Sequence, residues 1–312
     1  MRFFKKITYL IVAISLLMNV VAAFHAYKFT HFSNEQGQLT PSPQKLTGLE
    51  KVKALLFGVS NYKPQNNAFP NSPYSTITIE TNEGALKIWQ TKVDSSKGVV
   101  IVLHGYHGQK SSMIDRAAYF NTIGFSTLLV DFRGCGDSFG LQSTIGFDES
   151  KDVKAVFNYA NNHFINIYIF GSSMGSVAAM KCIHDFNIKP QGLLIECPFG
   201  SMYQTTSARF QNMGLPSFPM ATLLVFWGGV INGFWGFHHN PTYYAKSINC
   251  PTLLLYGLED DKVSLQETIT IFNNINGRKR LSLFKETGHD NYLKSKPIQW
   301  KEDISKFLFT KS

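Results

Sequence analysis

Asn166-Ile-Tyr-Ile-Phe-Gly171-Ser-Ser173-Met-Gly175-Ser-Val-Ala-Ala-Met-Lys-Cys-Ile183 is the stretch whose reading decides the fold. An apolar, β-prone run enters Gly-x-Ser-x-Gly, and a helix-forming run that opens with small residues leaves it. Glycine on both sides of the serine marks a turn so tight that neighbouring backbone leaves no room for a side chain. Strand, sharp turn and helix in that order read as a nucleophile elbow, which lifts Ser173 above the end of a strand. The same pentapeptide occurs once more, as Gly136-Asp-Ser138-Phe-Gly140. There the serine ends Asp131-Phe-Arg-Gly-Cys-Gly-Asp-Ser138, a Gly-rich exit from a strand, and Phe139-Gly-Leu-Gln-Ser-Thr-Ile-Gly146 opens no helix. Ser173 is therefore the candidate nucleophile and Ser138 a structural residue.

Outward from the elbow, short β-rich runs at 75–80, 86–93, 99–103, 126–131, 167–170, 192–195, 252–256 and 280–284 alternate with helical patterns near 111–123, 149–161, 174–186, 263–275 and 298–309. This alternation predicts an α/β fold: a mostly parallel sheet with helices on both faces. Thr81-Asn-Glu-Gly84 joins the first two runs as a hairpin, which puts an antiparallel edge on the sheet. One connection is too long: 56 residues separate Ile195 from Thr252, far more than a crossover needs. The expectation is a lid insertion over about 198–247, dense in aromatics such as Phe226, Trp227, Phe234 and Trp235 and suited to cover a greasy pocket. Its apolar run 220–231 is too short to cross a bilayer.

A serine hydroxyl needs a base within hydrogen-bond reach, and the base needs a carboxylate to orient it. On this architecture the chain order is serine, acid, histidine. Gly257-Leu-Glu-Asp-Asp-Lys-Val263 follows a strand and offers Asp260 as the acid, with Asp261 and Glu259 as alternatives. Of the nine histidines, His289 is the one that follows it. The oxyanion of acyl transfer requires two backbone N–H donors. Met174, next after the nucleophile, supplies one, and Tyr106, in the loop after the strand 99–103, the other. His104 precedes the nucleophile and is expected to shape that loop.

The chain of 312 residues is 44% hydrophobic and 16% charged, which excludes a disordered protein. Its net charge of +9 is spread without a basic run, so no nucleic-acid partner is expected. Four cysteines without a C-x-x-C pair indicate neither a zinc site nor a disulfide framework. At the N-terminus, Arg2, Lys5 and Lys6 precede an apolar run over 7–24 whose polar members are Thr8, Ser15 and Asn19. That pattern is a targeting segment, residues 1–30. A signal anchor is the preferred reading; a signal peptide cleaved after the small residues Val21-Ala22-Ala23, leaving a secreted or periplasmic protein, is the alternative. With the positive charges ahead of the run, the anchored protein has its bulk on the extracytoplasmic side. Residues 31–73 read as a linker containing a short amphipathic helix over 46–59, and residues 74–312 as the main domain.

Taken in order, Leu103-His-Gly105, Asp131-Phe-Arg-Gly-Cys-Gly-Asp-Ser138, Gly171-Ser-Ser-Met-Gly175, Gly257-Leu-Glu-Asp-Asp-Lys-Val263 and Gly288-His-Asp290 resemble the α/β-hydrolase superfamily. More narrowly they resemble the lysophospholipase and serine-aminopeptidase-like hydrolases, several of which carry an N-terminal membrane segment. The resemblance covers residues 74–309. It implies an eight-stranded sheet, a Ser173–Asp260–His289 triad, and neither cofactor nor metal. Cys135 departs from it, since histidine is commoner at that place in R-G-x-G. Serine at the elbow argues against the epoxide hydrolases and haloalkane dehalogenases, which use aspartate. The expected function is a membrane-anchored serine hydrolase cleaving carboxylic esters or thioesters of lipid-like, acyl-bearing substrates through an acyl-serine. A peptidase or amidase, and a non-catalytic binding protein, are the alternatives. Oligomeric state is left open.

Overall fold

Val99-Val-Ile-Val-Leu103 has no polar side chain, and all five residues are buried. A strand buried on both faces belongs in the middle of a sheet covered on both sides, and that is where it lies. The computed structural model describes residues 1–35, 37, 47–50, 53, 58, 59 and 61–309. They divide into two compact units, Lys63–Gly200 with Asn240–Ser312, and Met1–Tyr62 with Ser201–His239.

The first of these holds an eight-stranded sheet in the order β1-β2-β4-β3-β5-β6-β7-β8. The strands are β1 (Ser75–Glu80), β2 (Ala85–Thr91), β3 (Val99–Leu103), β4 (Ser126–Val130), β5 (Ile167–Ser172), β6 (Gly192–Glu196), β7 (Thr252–Gly257) and β8 (Lys279–Phe284). β1 and β2 run antiparallel to each other, and β2 antiparallel to β4; every other pairing is parallel. The expected hairpin is present: Thr81 donates both its N–H (3.1 Å) and its hydroxyl (2.7 Å) to the Gly84 carbonyl.

Strand periodicity sorts the core into two layers. Val99, Ile101 and Leu103 face one cluster, with α3 (Glu149–His163), α4 (Met174–Phe186) and α8 (Leu265–Asn274). Val100 and Val102 face the other, with α2 (Ile114–Thr122) and α10 (Pro297–Phe309), whose Trp300 is fully buried. The helix expected over 111–123 begins instead with a 3-10 turn at Lys110–Met113. At this turn Asp131, buried after β4, accepts from the Lys110 N–H at 2.7 Å and also binds the Lys110 ammonium.

The second unit is helical. Its α1 (Arg2–Thr30) extends beyond the apolar run 7–24 at both ends, since no glycine or proline interrupts it there. Thr8 and Asn19 return their side-chain donors to the Phe4 and Ser15 carbonyls at 3.0 and 2.9 Å, so neither interrupts an otherwise apolar helix. The long connection supplies α5 (Met202–Asn212) and α6 (Met220–Ile231) to this unit. The second half of α1 packs on α6: Trp227 Nε1 donates to Asn19 Oδ1 at 3.0 Å, Asn232 Nδ2 to Thr30 Oγ1 at 3.3 Å, and Ala22 and Ala26 are buried. The Arg209 guanidinium lies 4.4 Å from the centre of the Phe29 ring, joining α5 to the same helix. The first half of α1 leaves Leu10, Ile11, Leu16 and Leu17 exposed. The amphipathic helix expected over 46–59 lies largely outside the described residues.

Candidate active site

In an α/β sheet ligands bind outside the carboxyl ends of the parallel strands, and Ser173, Asp260 and His289 follow the ends of β5, β7 and β8. β5 ends in the elbow. Ser173 sits at φ +50°, ψ −112°, a conformation that side-chain-bearing residues rarely adopt. The glycines explain how it is reached. A Cβ on Gly171 would lie 2.5 Å from the Ser176 nitrogen, and one on Gly175 2.6 Å from the Leu103 carbonyl oxygen. Any side chain at either position would push the strand, the elbow and α4 apart. The Ser173 N–H is held by the Glu196 carbonyl at 2.8 Å, tying the elbow to the end of β6.

Three side chains meet here. His289, in the loop after β8, places Nε2 3.0 Å from Ser173 Oγ and Nδ1 2.7 Å from Asp260 Oδ2. Asp260 is fixed in turn, its Oδ1 accepting from the N–H groups of Lys262 and Val263 at 2.8 and 2.9 Å. Its neighbours Glu259 and Asp261, the alternatives in sequence, are exposed. With Asp260 accepting at Nδ1, the neutral ring keeps its proton on that nitrogen, and Nε2 then presents its lone pair to the serine.

The loop after β3 comes close to the elbow: a Cβ on Gly105 would stand 3.6 Å from Ser173 Cβ. Tyr106 follows in this loop, and Met174 opens α4 directly after the serine. His104 is fully buried, its Nδ1 2.7 Å from the Gly105 carbonyl and its Nε2 3.2 Å from the Phe132 N–H. Both ring nitrogens bridge backbone, and burial lowers its pKa. Ser138, in the second Gly-x-Ser-x-Gly, donates to the Asp131 carbonyl at 2.7 Å and accepts from the Lys87 N–H at 2.8 Å. Its hydroxyl joins the β4 exit to β2.

A family profile described as serine aminopeptidase, S33, matches residues 94–224. The Pyrococcus furiosus esterase Pf2001 superposes with a TM-score of 0.65 at 21% identity, covering 79% of this chain and 97% of that one. The chain has the α/β-hydrolase fold. Among its sequence relatives, the uncharacterized Bacillus subtilis protein YqkD is 24% identical over 72% of this chain and 75% of its own length. The lysophosphatidylserine lipase ABHD12 of Macaca fascicularis is 24% identical over 59% of this chain. The chain spans about half the length of that relative, the match covering 47% of it.

Two features of the site lay outside the sequence reading. Cys197, the first residue after β6, is buried at φ +40° with its Sγ 3.9 Å from His289 Nε2. Sequence offered only its place just past the carboxyl end of a parallel strand, where site residues belong. Glu196, fully buried beside it, pairs with Arg116 at 3.0 Å and accepts from Trp300 Nε1 at 2.7 Å, so β6 is clamped to α2 and α10 below the elbow. Burial of His289 disfavours its charged form, but Cys197 and Asp260 beside it outweigh this and hold the imidazolium above the ordinary histidine pKa of about 6.5.

Proposed function

We propose that this hydrolase is a membrane-anchored serine esterase that cleaves carboxylic esters or thioesters of lipid-like, acyl-bearing substrates. The observation that carries the reading is the Ser173–His289–Asp260 chain, with hydrogen bonds of 3.0 and 2.7 Å. His289 Nε2 takes the proton from Ser173 Oγ as the oxygen attacks the acyl carbon, and the Asp260 carboxylate stabilises the resulting imidazolium. The N–H groups of Met174 and Tyr106 receive the oxyanion, an interaction stronger in the transition state than in the ground state and so directly catalytic. His289 then protonates the leaving alkoxide or thiolate. Water, deprotonated by the same nitrogen, resolves the acyl-Ser173.

Two observations support the lipid-like substrate and the anchor. An apolar helix of 29 residues, long enough to cross a bilayer, leads the chain. Its Ala22, inside the small-residue stretch a signal peptidase would need, is fully buried against the helical insertion, which favours retention over cleavage. With Arg2, Lys5 and Lys6 at the leading end, the reading places the catalytic unit outside the cytoplasm. The likeness to a lysophosphatidylserine lipase points to an ester with one acyl chain and a polar head group.

The serine aminopeptidase profile favours a second reading, an amidase acting on peptides. Purified full-length protein in detergent separates the two. Assayed on p-nitrophenyl esters of increasing acyl length, on lysophospholipids and on aminoacyl amides, the esterase reading expects turnover of the esters, lost in Ser173→Ala. Turnover of aminoacyl amides alone would replace it with the amidase.

A further inference from the structure

We propose that Cys197, His289 and Ser173 form an inhibitory site for a soft divalent cation, with Zn2+ as its type ligand. Among the described residues, Cys197, Asp260 and His289 offer ligand atoms that all lie within 4.8 Å of one another. The binding half of the inference stands on geometry; the inhibitory half rests on the roles given above to Ser173 and His289.

The ligands suit the ion in kind and in spacing. Zinc binds thiolate at about 2.3 Å and imidazole at about 2.0 Å, so a tetrahedral angle separates sulfur from nitrogen by roughly 3.6 Å. Cys197 Sγ and His289 Nε2 stand 3.9 Å apart. A histidine that ligates zinc commonly donates its other ring N–H to a carboxylate, which fixes the tautomer and makes the free nitrogen a better donor. Asp260 does this at 2.7 Å. Thus the arrangement that prepares Nε2 to take a proton also prepares it to take a metal. Ser173 Oγ, 3.0 Å from Nε2, is the third ligand, and water completes the shell.

The thiol is held in place. Cys197 N–H donates to the Leu255 carbonyl at 3.0 Å, which fixes the backbone that carries the sulfur. Binding releases to solvent the thiol proton of Cys197 and, where His289 is charged, its Nε2 proton as well, with no change of oxidation state. The ion arrives from the side on which Ser173 and His289 keep partial exposure. Once bound it occupies the Nε2 lone pair, and Ser173 loses its base. The ester reaction itself requires no metal; the ion is an inhibitor.

The test measures binding and blockade separately on the full-length protein in detergent. Zinc affinity is read by competition with a chromophoric chelator, and the state of Ser173 by its rate of labelling with a fluorophosphonate, with and without Zn2+ and after EDTA. The expected result is one zinc per chain, labelling slowed at least about tenfold by zinc and restored by EDTA, and affinity reduced about 10- to 100-fold in Asp260→Asn, as for other outer-shell partners. Cys197→Ser and Cys197→Ala are expected to lose tight zinc binding while remaining labelled, and Cys250→Ser to keep it. Unchanged affinity in both Cys197 variants, or no zinc bound by the parent, would overturn the site. Zinc bound through Cys197 by a parent that no fluorophosphonate labels would keep the site and remove the serine-hydrolase reading instead.

Discussion

Ser173 holds its φ of +50° because everything around it is fixed: Gly171 and Gly175 admit the close approach of backbone, and the Glu196 carbonyl anchors the Ser173 N–H. Strain of that kind, of order 1–3 kcal/mol, persists only where the surroundings over-determine it. The gain is a partly exposed serine whose Oγ lies 3.0 Å from one imidazole nitrogen. His289 must be neutral to act as a base, and its pKa is raised above the ordinary value. The sign follows: more of the protein carries the imidazolium at neutral pH than an ordinary histidine would allow, so activity climbs as pH rises through the raised pKa. The log of kcat/KM is therefore expected to rise with unit slope on the acid side and to level off above about 6.5, the ordinary histidine value. A plateau already complete at pH 6 would show that His289 is not the base. All three members of the hydrogen-bonded chain were legible in sequence, because strand ends and chain order narrow the choice. Cys197 was not, because a single cysteine carries no local pattern; its meaning comes from His289, 92 positions away.

At the scale of elements, the exit from β4 shows how much of a loop depends on buried charge. Arg133 donates from Nη2 to Asp152 at 2.6 Å, and its N–H reaches the same carboxylate at 3.0 Å, joining the loop to α3. Asp152 is buried, and burial pushes its carboxyl up to about 6 although Arg133 pulls the other way. Removing the arginine strands that acid, so Arg133→Ala is expected to destabilise the protein by about 3–5 kcal/mol, read as a lowered urea midpoint. A midpoint equal to the parent's would mean the pair adds nothing. The strands were read almost to the residue, since the central ones each carry a short apolar run between turns. The helices of the insertion were not, because α6, Met-Ala-Thr-Leu-Leu-Val-Phe-Trp-Gly-Gly-Val-Ile, is apolar almost throughout and shows no periodicity from which a face could be read. Nor does sequence show that α1 is the partner of α6: Asn19 meets Trp227 across 208 positions.

For the whole molecule, the packing of α1 on the insertion makes the N-terminal segment part of a folded unit. Protein isolated from membranes is therefore expected to retain residues 1–30, as read by intact mass and N-terminal sequencing. A mature chain beginning after Ala23 would show instead that the segment is a signal peptide. The account as a whole stands on Ser173 being an activated nucleophile, and fluorophosphonate labelling of the full-length protein, read by intact mass, tests this without knowledge of the substrate. The prediction is one adduct on the parent and on Ser138→Ala, and none on Ser173→Ala. No adduct on a folded parent, or an adduct that survives Ser173→Ala, would contradict it.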